Sequence, residues 1–172
     1  MWEPVASRLV NRHLARRVGS GALVGAADAG LILMSRRLLA QRPDVAEAWL
    51  KAELDAQRYL ADPANADEIV RIALGETKGF DRQELWDALY RRWPAAEGGP
   101  ADGVRMRLPF AITATVRQHI ARATAFLYRI KAIASASLPA GAVAGARAEK
   151  ALKESGKGRA GVIRALPRPG PP

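Results

Sequence analysis

Residues 28–60, DAGLILMSRRLLAQRPDVAEAWLKAELDAQRYL, decide how the rest of the 172-residue chain is read. Gly30-Leu31-Ile32-Leu33-Met34 is a continuous apolar run of strand length, bounded by Asp28-Ala29 and by Ser35-Arg36, and such a run predicts a strand covered on both faces. Ser35 can cap a short helix over residues 36–40, which stops at Arg42 because a residue before proline is pushed out of the helical region. Pro43 then opens a long helix, with Asp44 and Glu47 near the positive end of its dipole. In that helix Val45, Trp49, Ala52, Ala56 and Tyr59 recur at helical spacing and predict its inward face, broadened by Leu50 and Leu60. A buried strand handed straight to a helix predicts an α/β layer, helix-rich and with few strands, and not a helical bundle.

Working outward, residues 4–15 predict a helix with Pro4 in its first turn, Val5, Leu9 and Leu14 inward and Arg8, Arg12 and Arg16 outward. The glycines between Gly19 and Gly25 punctuate a loop whose spacing fits neither a dinucleotide fingerprint nor a P-loop. Downstream, Asn65 caps a helix over residues 66–74 with Ile69, Val70, Ile72 and Ala73 inward. Asp81 and Glu84 have capping-box spacing for a helix over residues 82–93 that carries Leu85, Trp86 and Leu89 on one face. VRMRLP at residues 104–109 alternates apolar and basic residues and predicts an edge strand or an extended crossing segment. Thr113 starts the last strong helix, with Val116, Ile120, Ala123, Leu127 and Ile130 inward and Arg117, His119, Arg122, Arg129 and Lys131 outward. Beyond residue 133 the chain turns to Ala, Gly, Lys and Pro, with one short helix predicted over residues 144–155 before Gly156 and the stretch 158–172 flexible or extended.

Composition excludes several classes of function. Without cysteine there are no disulfides, and with two histidines far apart there is no basis for a structural zinc site, so neither metal nor cofactor is expected. No window is apolar for the roughly 18–20 residues a membrane span needs, and the opening MWEPVASRLVNRHLARR lacks the apolar core of an export signal. The net charge of +10 is unevenly spread: residues 1–42 carry seven basic and two acidic side chains, residues 43–90 five and eleven, and residues 91–172 fifteen and four. A basic excess at both ends leaves a basic interaction module, binding nucleic acid or an acidic partner, as the alternative function. The tryptophans, however, sit in helical patterns and do not interleave with basic residues, which argues against nucleic acid. No Ser-His-Asp, HExxH or thiol arrangement is present, and no enzymatic activity is expected.

The order of short motifs carries more information. Trp2-Glu3-Pro4 with Ala6-Ser7-Arg8-Leu9, Ala15-Arg16-Arg17-Val18, Asp28 and Gly30 before the apolar run, Gln41-Arg42-Pro43-Asp44-Val45 and Ala48-Trp49-Leu50 form the first part of the set. Glu53-Leu54-Asp55-Ala56-Gln57, Leu60-Ala61-Asp62-Pro63, Leu85-Trp86, Leu108-Pro109-Phe110 and Ala123-Thr124-Ala125-Phe126-Leu127 continue it. Taken together they resemble the later half of ABC-transporter substrate-binding proteins of the nitrate/sulfonate/taurine class, over about residues 2–133. The resemblance implies a partial periplasmic-binding-protein-like fold: residues 1–29 from the second lobe, residues 30–133 as a crossover strand and helical return to the first lobe, and residues 134–172 as a flexible tail. It further implies a small anionic or organic ligand, ABC permease and ATPase subunits as partners, and a periplasmic location for the full-length family. The chain as given, without a signal, would be cytoplasmic. Trp2, Glu3, Pro4, Asp28 and Gly30 are the substrate-binding residues it assigns; an aromatic edge, a carboxylate and loop N–H groups suit a small polar ligand.

Overall fold

The computed structural model describes residues 2–24 and 30–169. Among them the chain is helix-rich, with seven α-helices and one antiparallel pair of strands. The helices are α1 (Val5–Asn11), α2 (Arg36–Gln41), α3 (Pro43–Ala61), α4 (Ala66–Glu76), α5 (Arg82–Tyr90), α6 (Ala114–Arg129) and α7 (Ala146–Glu154), and the strands β1 (Val104–Leu108) and β2 (Gly161–Arg164). No helix among the described residues is long and apolar enough to cross a membrane. The chain divides into two compact units: residues 1–26, 57–108 and 161–172 form the first, residues 27–56 and 109–160 the second.

The first unit is organised by α5. Asp81 accepts the Glu84 N–H through its side chain while the Glu84 carboxylate accepts the Asp81 N–H, so both orphan donors of the helix start are satisfied as the capping-box spacing predicts. Helices α1 and α4 and strand β2 pack on α5. Its Leu85, Trp86 and Tyr90 are buried with Ala66, Ile69 and Val70 of α4, Trp93, Leu108 of β1 and Ile163 of β2. Ile72, expected inward, stands half exposed, because the buried face of α4 follows the i, i+3, i+4 positions 66, 69 and 70. Strand β1 pairs antiparallel with β2 (Met106 opposite Ile163, Leu108 opposite Gly161), with an irregularity between Val104 and Met106. The Leu166 N–H then donates to the Tyr90 carbonyl at 2.9 Å, so within the stretch read as flexible or extended, residues 161–164 form a strand and residue 166 is tied to α5.

In the second unit Ser35 caps α2 by accepting the Leu38 N–H, and Thr113 caps α6 by accepting that of Val116. Glu47 pairs with Arg147 and Lys150, and Lys51 with Glu154, so acidic and basic positions advance in the same direction along α3 and α7 and the two helices run parallel there. The buried stripe of α3 is Ala46, Leu50 and Leu54; Leu50 is buried as expected, whereas Val45, Trp49 and Tyr59, also expected inward, remain about two-fifths exposed. This helix carries two apolar stripes one residue apart, and periodicity alone does not choose between them. The expected inward face of α6 is likewise corrected: Leu127 and Ile130 are exposed and only Thr124 is buried, its hydroxyl donating to the Ile120 carbonyl.

The strand expected at residues 30–34 is absent. Those residues pair with no other strand among the described residues, and Leu33 is 90% exposed. An apolar run becomes a strand only where another chain segment meets its N–H and C=O groups, and here none does.

Candidate functional site

Trp2, Glu3 and Pro4 stand together at the start of α1. The Glu3 carboxylate accepts the Ser7 N–H at 3.0 Å and the Ser7 hydroxyl at 2.7 Å, which satisfies a donor the helix start would otherwise leave open. Ser7 is fully buried, and Arg17 closes on the other Glu3 oxygen at 3.4 Å. Glu3 is therefore held by its own unit, Pro4 is the residue preceding the helix, and Trp2, 80% exposed, is the one of the three with its surface free for a ligand. Gly30 belongs to the second unit; it is exposed, and a Cβ there would meet no atom within 4 Å. Asp28 lies outside the described residues.

Beside this turn is a charge network that the sequence reading missed. Glu84 and Asp87 lie one turn apart on α5, their side chains 1% and 0% exposed. Arg8 of α1 and Arg12, just past its end, donate to Glu84 at 3.3 and 2.9 Å, and Arg8 also donates to the Gly79 carbonyl with its guanidinium 3.8 Å above the Phe80 ring. Asp87 accepts from Gln83 at 2.8 Å, from Arg91 at 3.2 Å and from Arg168, which approaches it through both Nε and Nη2. Burial alone would raise both carboxyl pKa values. At Glu84 the Asp81 N–H and the Arg8 and Arg12 guanidiniums outweigh it, and at Asp87 Arg168 does so with help from Asn11 and then Arg91, so both groups titrate below their ordinary values. Arg8 is thus largely covered, against expectation, while Arg12 stays exposed and reaches Glu84 from the surface, because a desolvated carboxylate stays charged only with partners of opposite sign.

Trp93 forms a second centre. Its ring has the Arg91 guanidinium at 4.1 Å and that of Arg17 at 4.7 Å, and Arg17 also donates to the Glu97 carbonyl at 3.0 Å. The loop that follows docks closely: the Ser20 hydroxyl donates to the Gly98 carbonyl at 2.8 Å. Gly98 has φ +79° and its Cβ would come 2.5 Å from the Ser20 nitrogen, so only glycine fits there. Tyr90 has its hydroxyl buried, and that burial pushes its pKa up to about 12. Among the described residues no three metal-ligating side chains converge.

Compared with protein-family models, curated proteins and solved structures, the chain has no match. The site must be interpreted from its own chemistry and from the ordered motifs. The one sequence signal for the charge network was the acidic block at residues 43–90 between two basic ends, which foreshadows pairing within the chain.

Proposed function

We propose that the chain is a substrate-binding component of an ABC importer for a small anion or organic solute such as nitrate, a sulfonate or taurine, supplying the later part of a two-lobed periplasmic-binding-protein-like fold. The observation that carries this reading is the ordered set of short motifs from Trp2 to Leu127. Two features of the structure support it. Trp2 offers an uncommitted aromatic surface next to a rigidly held turn, as a ligand-facing edge requires. Leu31, Ile32 and Leu33 expose apolar side chains on a segment without regular secondary structure, as a stretch does whose partner sheet is missing.

On this reading the protein does no chemistry; it captures a solute and presents it to permease and ATPase subunits. Melting the protein with increasing nitrate, taurine or an alkanesulfonate tests the binding claim. Ligand bound by the native state alone stabilises it by about 2.7 kcal/mol at a hundred times its Kd. At least one of the three should raise the melting temperature saturably, and Trp2→Ala should remove the rise. No shift with any of them would overturn the claim.

A further inference from the structure

We propose that an open groove in the first unit, lined by His13, Arg16, Arg17 and Arg91, binds the phosphate group of a small phosphorylated molecule. The groove has a volume of about 470 Å³, large enough for a small organic ligand and not only an ion. Three observations converge on its chemistry.

The first is rigidity. The Arg17 and Arg91 guanidiniums both rest against the buried Trp93 ring, and so lie within 8.8 Å of each other, the sum of their two distances to it. Each is held by further partners, Arg17 by the Glu97 carbonyl and the Glu3 carboxylate, and Arg91 by Asn11 at 3.2 Å and by Asp87. Planar guanidinium forks held in this way match the oxygens of a phosphate group and lose little freedom on binding it.

The second is charge. Arg16 has neither a hydrogen bond nor an ion pair with any described residue, and Glu97 is the one carboxylate in the lining. When the charged groups linked to the lining through Glu3 and Asp87 are counted with it, Arg16, Arg17, Arg91, Arg105 and Arg168 stand against Glu3, Asp87 and Glu97, five positive charges against three negative. An excess of two positive charges suits a phosphate monoester, which carries about −1.5 to −2 near neutral pH.

The third is the remainder of the lining. Val10, Leu14 and Ala15 give one side an apolar surface for the organic part of the ligand. The backbone turns sharply there, with His13 at φ +56°, its N–H donating to the Val10 carbonyl and that of Leu14 to the Leu9 carbonyl at 2.9 Å. This paired closure of α1 is what brings His13, Leu14 and Arg16 round to one rim.

The proposal does not rest on the importer reading, whose ligand is placed at Trp2. It is tested by calorimetric titration of the whole chain with phenyl phosphate, inorganic phosphate and benzoate, at about 150 mM salt so that diffuse electrostatic attraction is screened. Phenyl phosphate should bind saturably at one site, more tightly than inorganic phosphate and at least tenfold more tightly than benzoate. Arg16→Glu, at an exposed position without a partner, should weaken it at least tenfold with an unchanged melting temperature, and Arg17→Gln should also weaken it. Arg122→Glu, the same charge reversal on exposed α6, should leave it unchanged. Absence of saturable binding, equal loss with Arg122→Glu, or benzoate binding as tightly as phenyl phosphate would each overturn the proposal.

Discussion

The first unit buries Trp86, Tyr90 and Trp93 around one helix, whereas the positions buried in the second are Ala46, Leu50, Leu54, Ala111, Thr124, Gly145, Ala148 and Ala151. The large apolar side chains of the second unit, among them Leu33, Trp49, Phe126, Tyr128 and Ile130, are at its surface. Both units contain well-capped amphipathic helices, so capping and periodicity do not account for the difference. What separates them is whether a helix finds a partner for its apolar face. Helix α5 packs against α1, α4 and β2, while α6 buries one threonine and keeps its aromatic residues in solvent. Local sequence thus forms a helix, and tertiary partners decide what its apolar residues contribute.

The sharpest way to break this comparison uses one residue type in both places. Trp86→Ala, at a position 5% exposed, should destabilise the protein by about 3–5 kcal/mol in denaturant titration, since it removes an aromatic core side chain and leaves a cavity. Trp49→Ala, at 45% exposure, should cost no more than about 1 kcal/mol. Similar losses at the two sites would remove the distinction.

A smaller effect probes the charges around α5. Arg168→Ala should cost about 1–2 kcal/mol, because Asp87 keeps Arg91 and Gln83 but loses its strongest partner. The pH dependence has a defined sign. Glu84 and Asp87 titrate below their ordinary values in the folded protein, so their stabilisation is complete above the unfolded carboxylate pKa of about 4 and is lost as pH falls through the folded values. The melting temperature should therefore drop on acidification below about pH 5, and the drop should be shallower in Asp87→Asn.

The smallest effect is a gain. Helices α1 and α6 both end with a paired backbone closure whose left-handed residue is not glycine: His13 at φ +56° and Lys131 at φ +60°. Helix α7 ends with Gly156 at φ +62°, where glycine is free of that cost. His13→Gly and Lys131→Gly should each raise stability by about 0.5–1 kcal/mol, visible as a melting-temperature increase of a few degrees.

Much of the local structure was legible in the sequence. Ser35, Asp81 with Glu84, and Thr113 marked helix starts that the structure keeps, and the alternation at residues 104–109 marked β1. These signals lie within a few residues of the structure they specify. Long-range choices were not legible: which stripe of α3 is buried, that β1 pairs with residues 161–164, and that the apolar run at 30–34 pairs with nothing. The candidate site shows the same division. Trp2, Glu3 and Pro4 are contiguous and stay together, but Glu84 meets Arg12 across 72 residues and Asp87 meets Arg168 across 81. Segment charges hinted at such pairing without naming the partners, and two of the three arginines expected on an outward face, Arg8 and Arg12, are the ones that reach Glu84.

Amide hydrogen exchange under native conditions tests most directly the claim that α5 organises a packed unit while α6 stands on its local hydrogen bonds. Amides at Leu85–Tyr90 should exchange only through opening reactions close in free energy to global unfolding, and those at Ile120–Leu127 through local openings of distinctly lower free energy. Protection of α6 equal to that of α5 would contradict the account.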